Sequence, residues 1–160
     1  MRWIAKDSSI FFREKDYVDT ILIPLIPITF KEDGTEAANA SEFIELVSQF
    51  IENQFKGRIL LLPPFTYFRS TEEELIGLNQ YWVKHIESGY FKHIIFISSD
   101  PIWQKIISNR YEVIWLPSIP LEHMNETNKM KVISNQAEQV INIIIHYWQE
   151  KERENSLQKK

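Results

Sequence analysis

Residues 20–28 read TILIPLIPI, and no other stretch limits the fold of this chain so tightly. A strand with one wet face alternates apolar and polar residues. One that is apolar almost throughout and rich in β-branched side chains must be buried on both faces, as inside a parallel sheet. Three further runs have the same character: RILLL (58–62), HIIFIS (93–98) and EVIWL (112–116). Pro63 and Pro64 close the second run, and Pro117 closes the fourth.

Amphipathic segments fill the intervals. Asp7 or Ser8 can cap a short opening helix with Ile10, Phe11 and Tyr17 on its apolar side. Residues 30–39 are polar, contain a glycine and read as a loop. From 41 to 55, Phe43, Leu46 or Val47, Phe50, Ile51 and Phe55 recur at helical spacing, and Gly57 is placed to stop that helix. From residue 70 a second helix begins, with Ser70 and Glu73, or Thr71 and Glu74, as a capping box and Gly89 beyond its last turn. Residues 101–109 read as a short helix. A long final helix sets Met130, Ile133, Ala137, Val140 or Ile141, Ile144 and Trp148 on one side.

Strand–helix alternation of this kind predicts an α/β fold. The expected architecture is a small three-layer sandwich around a mainly parallel four-stranded sheet. Its strand order would be flavodoxin-like, 2-1-3-4, with a long C-terminal helix. Residues 1–150 form one domain in this reading, and 151–160 a charged, frayed tail.

Composition narrows the chemistry. The chain has 18 basic and 22 acidic residues, a net charge of −4, and no Lys/Arg run able to neutralise several phosphates, so nucleic acid is not an expected partner. It has no cysteine, which removes disulfides, thiolate nucleophiles and Cys-based metal sites and fits a reducing cytoplasm. Its longest apolar runs fall short of the ~20 residues of a membrane span. With four glycines, no G-x-G-x-x-G or Walker A loop can be drawn. No cofactor and no metal are expected.

The segments YVDTILIPL, ILLLPPFTYF, HIIFISSDP and VIWLPSIPLEHM together resemble the YpiF-like family of uncharacterised proteins from Bacillus and its relatives. The likeness spans most of the chain up to the final helix. That family has no assigned activity, so the resemblance implies no site residues. A fainter likeness links the strand ends to creatininase-type amidohydrolases. Such enzymes carry a Glu-x-His pair and a His-Gly-Gly segment where this chain has IPITF and ISSDP. Any kinship there would be of scaffold, without the metal site.

Function in an open α/β sheet collects at the carboxyl ends of the strands. Here those ends form an aromatic, proline-rich rim: Phe65, Thr66, Tyr67, Ser98, Ser99, Asp100, Trp115 and His123. At Ser98–Asp100, Pro101 suits a first helical position and Asp100 its N-cap. The functional alternative is an anion site at the helix start, which the Asp100 charge opposes. Phospho-acceptor chemistry lacks clustered carboxylates after the first strand, and serine hydrolysis lacks a G-x-S-x-G elbow. His123 beside Glu122 is a solvated turn in one reading and an acid–base pair in the other. Phe65, Tyr67 and Phe68 are a lid on the core or a platform for a partner.

No catalytic residue is assigned on this reading. The expected function is a non-enzymatic module that binds a protein partner or a second copy of itself. The alternative is an enzyme or small-ligand sensor using the Ser98–Asp100 corner with Thr66, Tyr67 and His123. Ile143, Ile145 and Tyr147 add apolar surface to the last helix beyond what one face requires, so part of it should be exposed.

Overall fold

In the computed structural model, which describes residues 1–87, 90–107 and 111–158, Thr20–Ile28 forms the central strand β1. It follows helix α1 (Ala5–Glu14) and a 3₁₀ turn at Lys15–Tyr17. Helix α2 (Gly34–Gln54), strands β2 (Ile59–Leu61) and β3 (Phe65–Phe68) and helix α3 (Glu72–Glu87) come next. Strand β4 (His93–Ser98), helix α4 (Ile102–Ile106), strand β5 (Glu112–Trp115) and helix α5 (Glu126–Gln158) complete the order. All strand pairs are parallel, in the order β2-β1-β4-β5, with β3 also paired to β1. The expected α/β sheet and its 2-1-3-4 order are therefore present. The sheet gains a fifth strand, because FTYF (65–68) is a strand rather than a loop.

Two prolines in a central strand would normally cost ladder bonds. The Leu22 and Ile28 carbonyls accept from the Leu62 and Arg69 N–H groups at 3.1 and 3.0 Å. Even-numbered residues of β1 therefore turn their backbone polar groups toward β2 and β3, and odd-numbered ones toward β4. Pro24 faces the gap at Pro63–Pro64, where a donor would find no strand. Pro27 faces the β4 side, but β4 pairing ends with Ser98 opposite Leu25. Each missing N–H falls where the ladder has already stopped.

The gap is also a bulge. Leu22 lies opposite Leu61 and Leu25 opposite Phe65, so β1 spends two residues where its neighbour spends three. The extra residue keeps Thr66 and Phe68 on the α2 side of the sheet and Phe65 and Tyr67 on the other. Outside β2, the Met1–Trp3 segment forms a further edge: Leu61 N–H donates to the Met1 carbonyl (2.8 Å) and Trp3 N–H to the Leu61 carbonyl (3.1 Å). The Met1 ammonium lies 2.7 Å from the buried Glu52 carboxylate.

Helices α2 and α5 cover one face. Phe43, Ile44, Val47 and Ile51 meet Ile133, Ala137, Val140, Ile144 and Trp148 over Leu22, Ile95, Ile97 and Ile114. On the opposite face α3 and α4 bring Leu75, Val83, Trp103 and Ile107 onto Ile21, Ile23, Leu25, Phe65, Tyr67 and Phe96. Phe11 of α1 closes a smaller cluster with Val18 and Leu60.

Some boundaries differ from the sequence reading. Helix α2 starts at Gly34, inside the expected loop, because Ala37 and Ala40 are good helix formers that bury against the sheet. A Cβ on Gly34 would stand 3.1 Å from the Thr29 carbonyl oxygen, while Gly57, past the end of α2, has φ +93°. Thr71 caps α3 by accepting from the Glu74 N–H (3.4 Å). The expected stop at Gly89 lies outside the described residues. The charged segment after residue 150 extends α5 as helix to Gln158. Among the described residues no helix is long and apolar enough to cross a membrane.

Candidate functional site

The carboxyl ends of β1, β3, β4 and β5 meet on one rim. At the end of β4, the Asp100 N–H donates to Ser98 Oγ (3.0 Å), and Asp100 Oδ1 accepts from the Ile102 N–H (3.2 Å). The carboxylate thus caps α4, as its place before Pro101 suggests, although the helix begins one residue later than expected. Its other oxygen accepts from the Tyr67 hydroxyl at 3.0 Å. Burial, reinforced by the Asp100 charge, pushes the Tyr67 pKa far up, so the phenol stays protonated and acts as a donor.

Arg69, one residue beyond β3, organises the neighbouring loop. Its Nη1 lies 2.7 Å from Asp33 Oδ2 and 2.7 Å from Glu36 Oε2, and its Nε 3.8 Å from Asp100 Oδ2. Hydrogen bonding to Glu36, then Asp33, raises the Arg69 pKa, and the bond from Arg69 holds Asp33 below the usual carboxylate range. Thr29 Oγ1 donates to Asp33 Oδ1 (3.1 Å). The Tyr67 hydroxyl, the Asp33 and Asp100 carboxylates and the Arg69 guanidinium are thus each engaged in a structural bond.

The strand period divides the aromatic residues. Phe65 and Tyr67 turn inward, with Phe65 against Trp82 (4.7 Å between ring centroids) and Tyr67 edge-on to Trp103 (4.9 Å). Thr66 and Phe68 turn outward. Phe68 is 61% exposed and lies 6.0 Å from Phe30, which is 91% exposed. Beside them an open groove of about 820 Å³ runs between α2 and β3, bordered by Ile28, Ala37, Ala38, Ser41, Pro64 and Thr66.

A family model described as a protein of unknown function, DUF2487, matches residues 9–148. The chain belongs to the DUF2487 family. The uncharacterized protein YpiF of Bacillus subtilis (strain 168) is 34% identical over 148 residues, 92% of this chain and 98% of its own. The resemblance read from the strand-end segments is thereby established. No solved structure matches the chain. The DUF2487 match ends at Trp148, the last buried residue of α5, so the exposed turns after it lie outside the match.

Of the rim residues read from the sequence of this DUF2487 chain, Tyr67, Ser98 and Asp100 come together. Trp115 donates its indole N–H to the Ser99 carbonyl (3.2 Å), tying the end of β5 to that of β4. The Ser99 hydroxyl is enclosed without a partner. His123 stands apart: its side chain is 90% exposed and pairs with neighbouring Glu122 at 3.1 Å. Among the described residues no group of three His, Asp or Glu side chains is placed to hold a metal. Sequence reasoning missed Arg69, Asp33 and Glu36, whose meeting depends on β1 and β3 being neighbours. Phe30 falls at the start of the expected 30–39 loop, where no local pattern pairs it with Phe68. The alternation in FTYF was the available signal for which rings face outward.

Proposed function

We propose that this DUF2487 protein acts by binding a protein partner at the strand-end rim, without catalysing a reaction. The observation that carries this is the Phe30–Phe68 pair, two rings in contact yet open to solvent beside a groove. Exposed aromatic anchors next to a concavity are the usual nucleus of a protein interface. The enzyme reading required Asp100, Tyr67 and His123 within hydrogen-bond reach. Asp100 and Tyr67 satisfy each other, and His123 is engaged elsewhere, so that reading has less support.

The test is site-specific photo-crosslinking in cells that make the protein. A benzophenone amino acid in place of Phe68 should give one discrete adduct, weakened by Phe30→Glu. The same group in place of exposed Tyr17 should not give it. Identical adduct patterns from the two positions would discard the rim as the binding surface, and an adduct of twice the chain mass would make a second copy the partner.

A further inference from the structure

We infer that the partner binds as an extended peptide strand, added to the free edge of β3 and flanked by basic residues. This rests on the rim being the protein-binding surface and goes further by naming the mode and the chemistry. In β3 the odd-numbered residues face β1, since Arg69 N–H donates to the Ile28 carbonyl. The N–H and C=O groups of Thr66 and Phe68 therefore point away from the sheet. Among the described residues no hydrogen bond uses them. An unpaired edge of this kind is a template for another strand.

The fold already uses this mode one step along the same side. Met1–Trp3 adds to β2 through Leu61, and α1 turns away immediately after, from Ala5. Beyond the Pro63–Pro64 bulge the side is free. A strand laid on β3 would also lie along the groove beside α2. Every second side chain would enter it, over Ile28 and against Ala37, Ala38 and Ser41, small residues that leave the room. Alternate apolar side chains of moderate size fit that lining.

Charge selects the flanks. Glu32 and Glu45 border the groove with Lys31 as the cation among its lining residues, while Arg69 is shared between Asp33 and Glu36. A second copy pairing edge to edge would bring these carboxylates toward their own images. A lysine- or arginine-flanked peptide meets them with opposite charge.

The experiment follows amide hydrogen exchange by NMR on the ¹⁵N-labelled protein. The probe is a short synthetic peptide alternating valine and threonine with lysines at both ends. Free protein should exchange the Thr66 and Phe68 amides fast. Saturating peptide should slow both by at least roughly tenfold. Glutamate-ended peptide should bind more weakly, and N-methylation of every second residue should abolish protection in one of its two registers only. Thr66→Pro should remove the response while the protein stays folded, because that N–H makes no bond in the fold. Shifts confined to the Phe30 and Phe68 rings, without amide protection, would overturn strand addition and leave the binding rim standing. Protection that grows with protein concentration alone would overturn the peptide in favour of a second copy. No response to any peptide would overturn the inference outright, whatever the crosslinking shows.

Discussion

Trp148 donates its indole N–H to the Thr20 hydroxyl across 2.9 Å, joining α5 to the first residue of β1 inside the core. The hydroxyl donates onward to Asp19 Oδ1 (2.7 Å), and Arg58 reaches both Asp19 oxygens at 3.1 and 3.2 Å. The Arg58 guanidinium lies 3.8 Å over the Trp148 ring, so the circuit closes on itself. Trp148→Phe keeps most of the apolar volume and deletes the donor. It should cost about 1–3 kcal/mol in urea unfolding. Because the ring and the guanidinium share one network, Arg58→Ala should cost less in the Trp148→Phe background than in the wild type.

Asp100 serves two donors, so its substitutions should rank. Asp100→Asn retains an acceptor for the Ile102 N–H and should be the milder change. Asp100→Ala should cost about 2 kcal/mol, the cap together with the tyrosine bond. A double-mutant cycle with Tyr67→Phe should return a coupling of about 1 kcal/mol. A coupling of zero in chemical denaturation would mean the Tyr67–Asp100 bond adds nothing to stability.

His93 is buried, and that burial lowers its pKa. It therefore takes up its proton at a lower pH in the fold than in the unfolded chain, which is protonated below about pH 6.5. The unfolded state binds more protons in that window, so stability rises with pH there and falls as pH drops below about 6.5. Unfolding midpoints measured through that range should slope in the wild type and flatten in His93→Phe.

Glu112 has the opposite sign. Burial, then repulsion from Glu150, raises its pKa, so ionisation at neutral pH works against the fold. Its favourable contribution is complete below the unfolded value of about 4.5 and is lost as pH rises through the raised one. Glu112→Gln should be more stable than the wild type at pH 7 and show no advantage in acid. Thermal melts at the two extremes compare them directly.

On α5, Ile144 is buried, while Ile143 and Ile145 are 45% and 37% exposed. The excess apolar surface anticipated for this helix is therefore on the outside, and the opening helix does not cover it. Ile144→Ala should cost about 2–5 kcal/mol, whereas Ile143→Lys should stay within about 0.5 kcal/mol. Sedimentation of the Ile143→Lys protein against the wild type, at matched concentrations, reads whether copies also meet there. A fall in average mass on substitution would place a contact on this face.

The sheet was readable because central parallel strands are apolar on both sides, and a run such as HIIFIS has few alternatives. Asp100 was readable as a cap because Asp-Pro at the start of a helix is local chemistry. β3 escaped because Pro63 and Pro64 look like a terminator, although here they only shift the register by one residue. The first turns of α2 escaped because Asp33-Gly34 suggests a turn, and the burial of Ala37 that overrides it is a tertiary effect. Arg69 and Glu36 are 33 positions apart and share no local pattern. The polar half of the site exists only once strands are neighbours.

The long reach from Thr20 to Trp148 governs how the chain can mature during synthesis. Ile95, Ile97 and Ile114 are on one sheet face, and their cover includes Ile133 to Trp148, a stretch made after strand β5. At ~5–20 residues per second, that face spends seconds without its lid while the helix is still being made. That face is therefore sealed only after α5 has emerged, and the long-range parallel pairing beneath it closes slowly. A nascent chain stalled before residue 130 would present a greasy, half-built sheet, the kind of surface that chaperones hold and aggregates recruit.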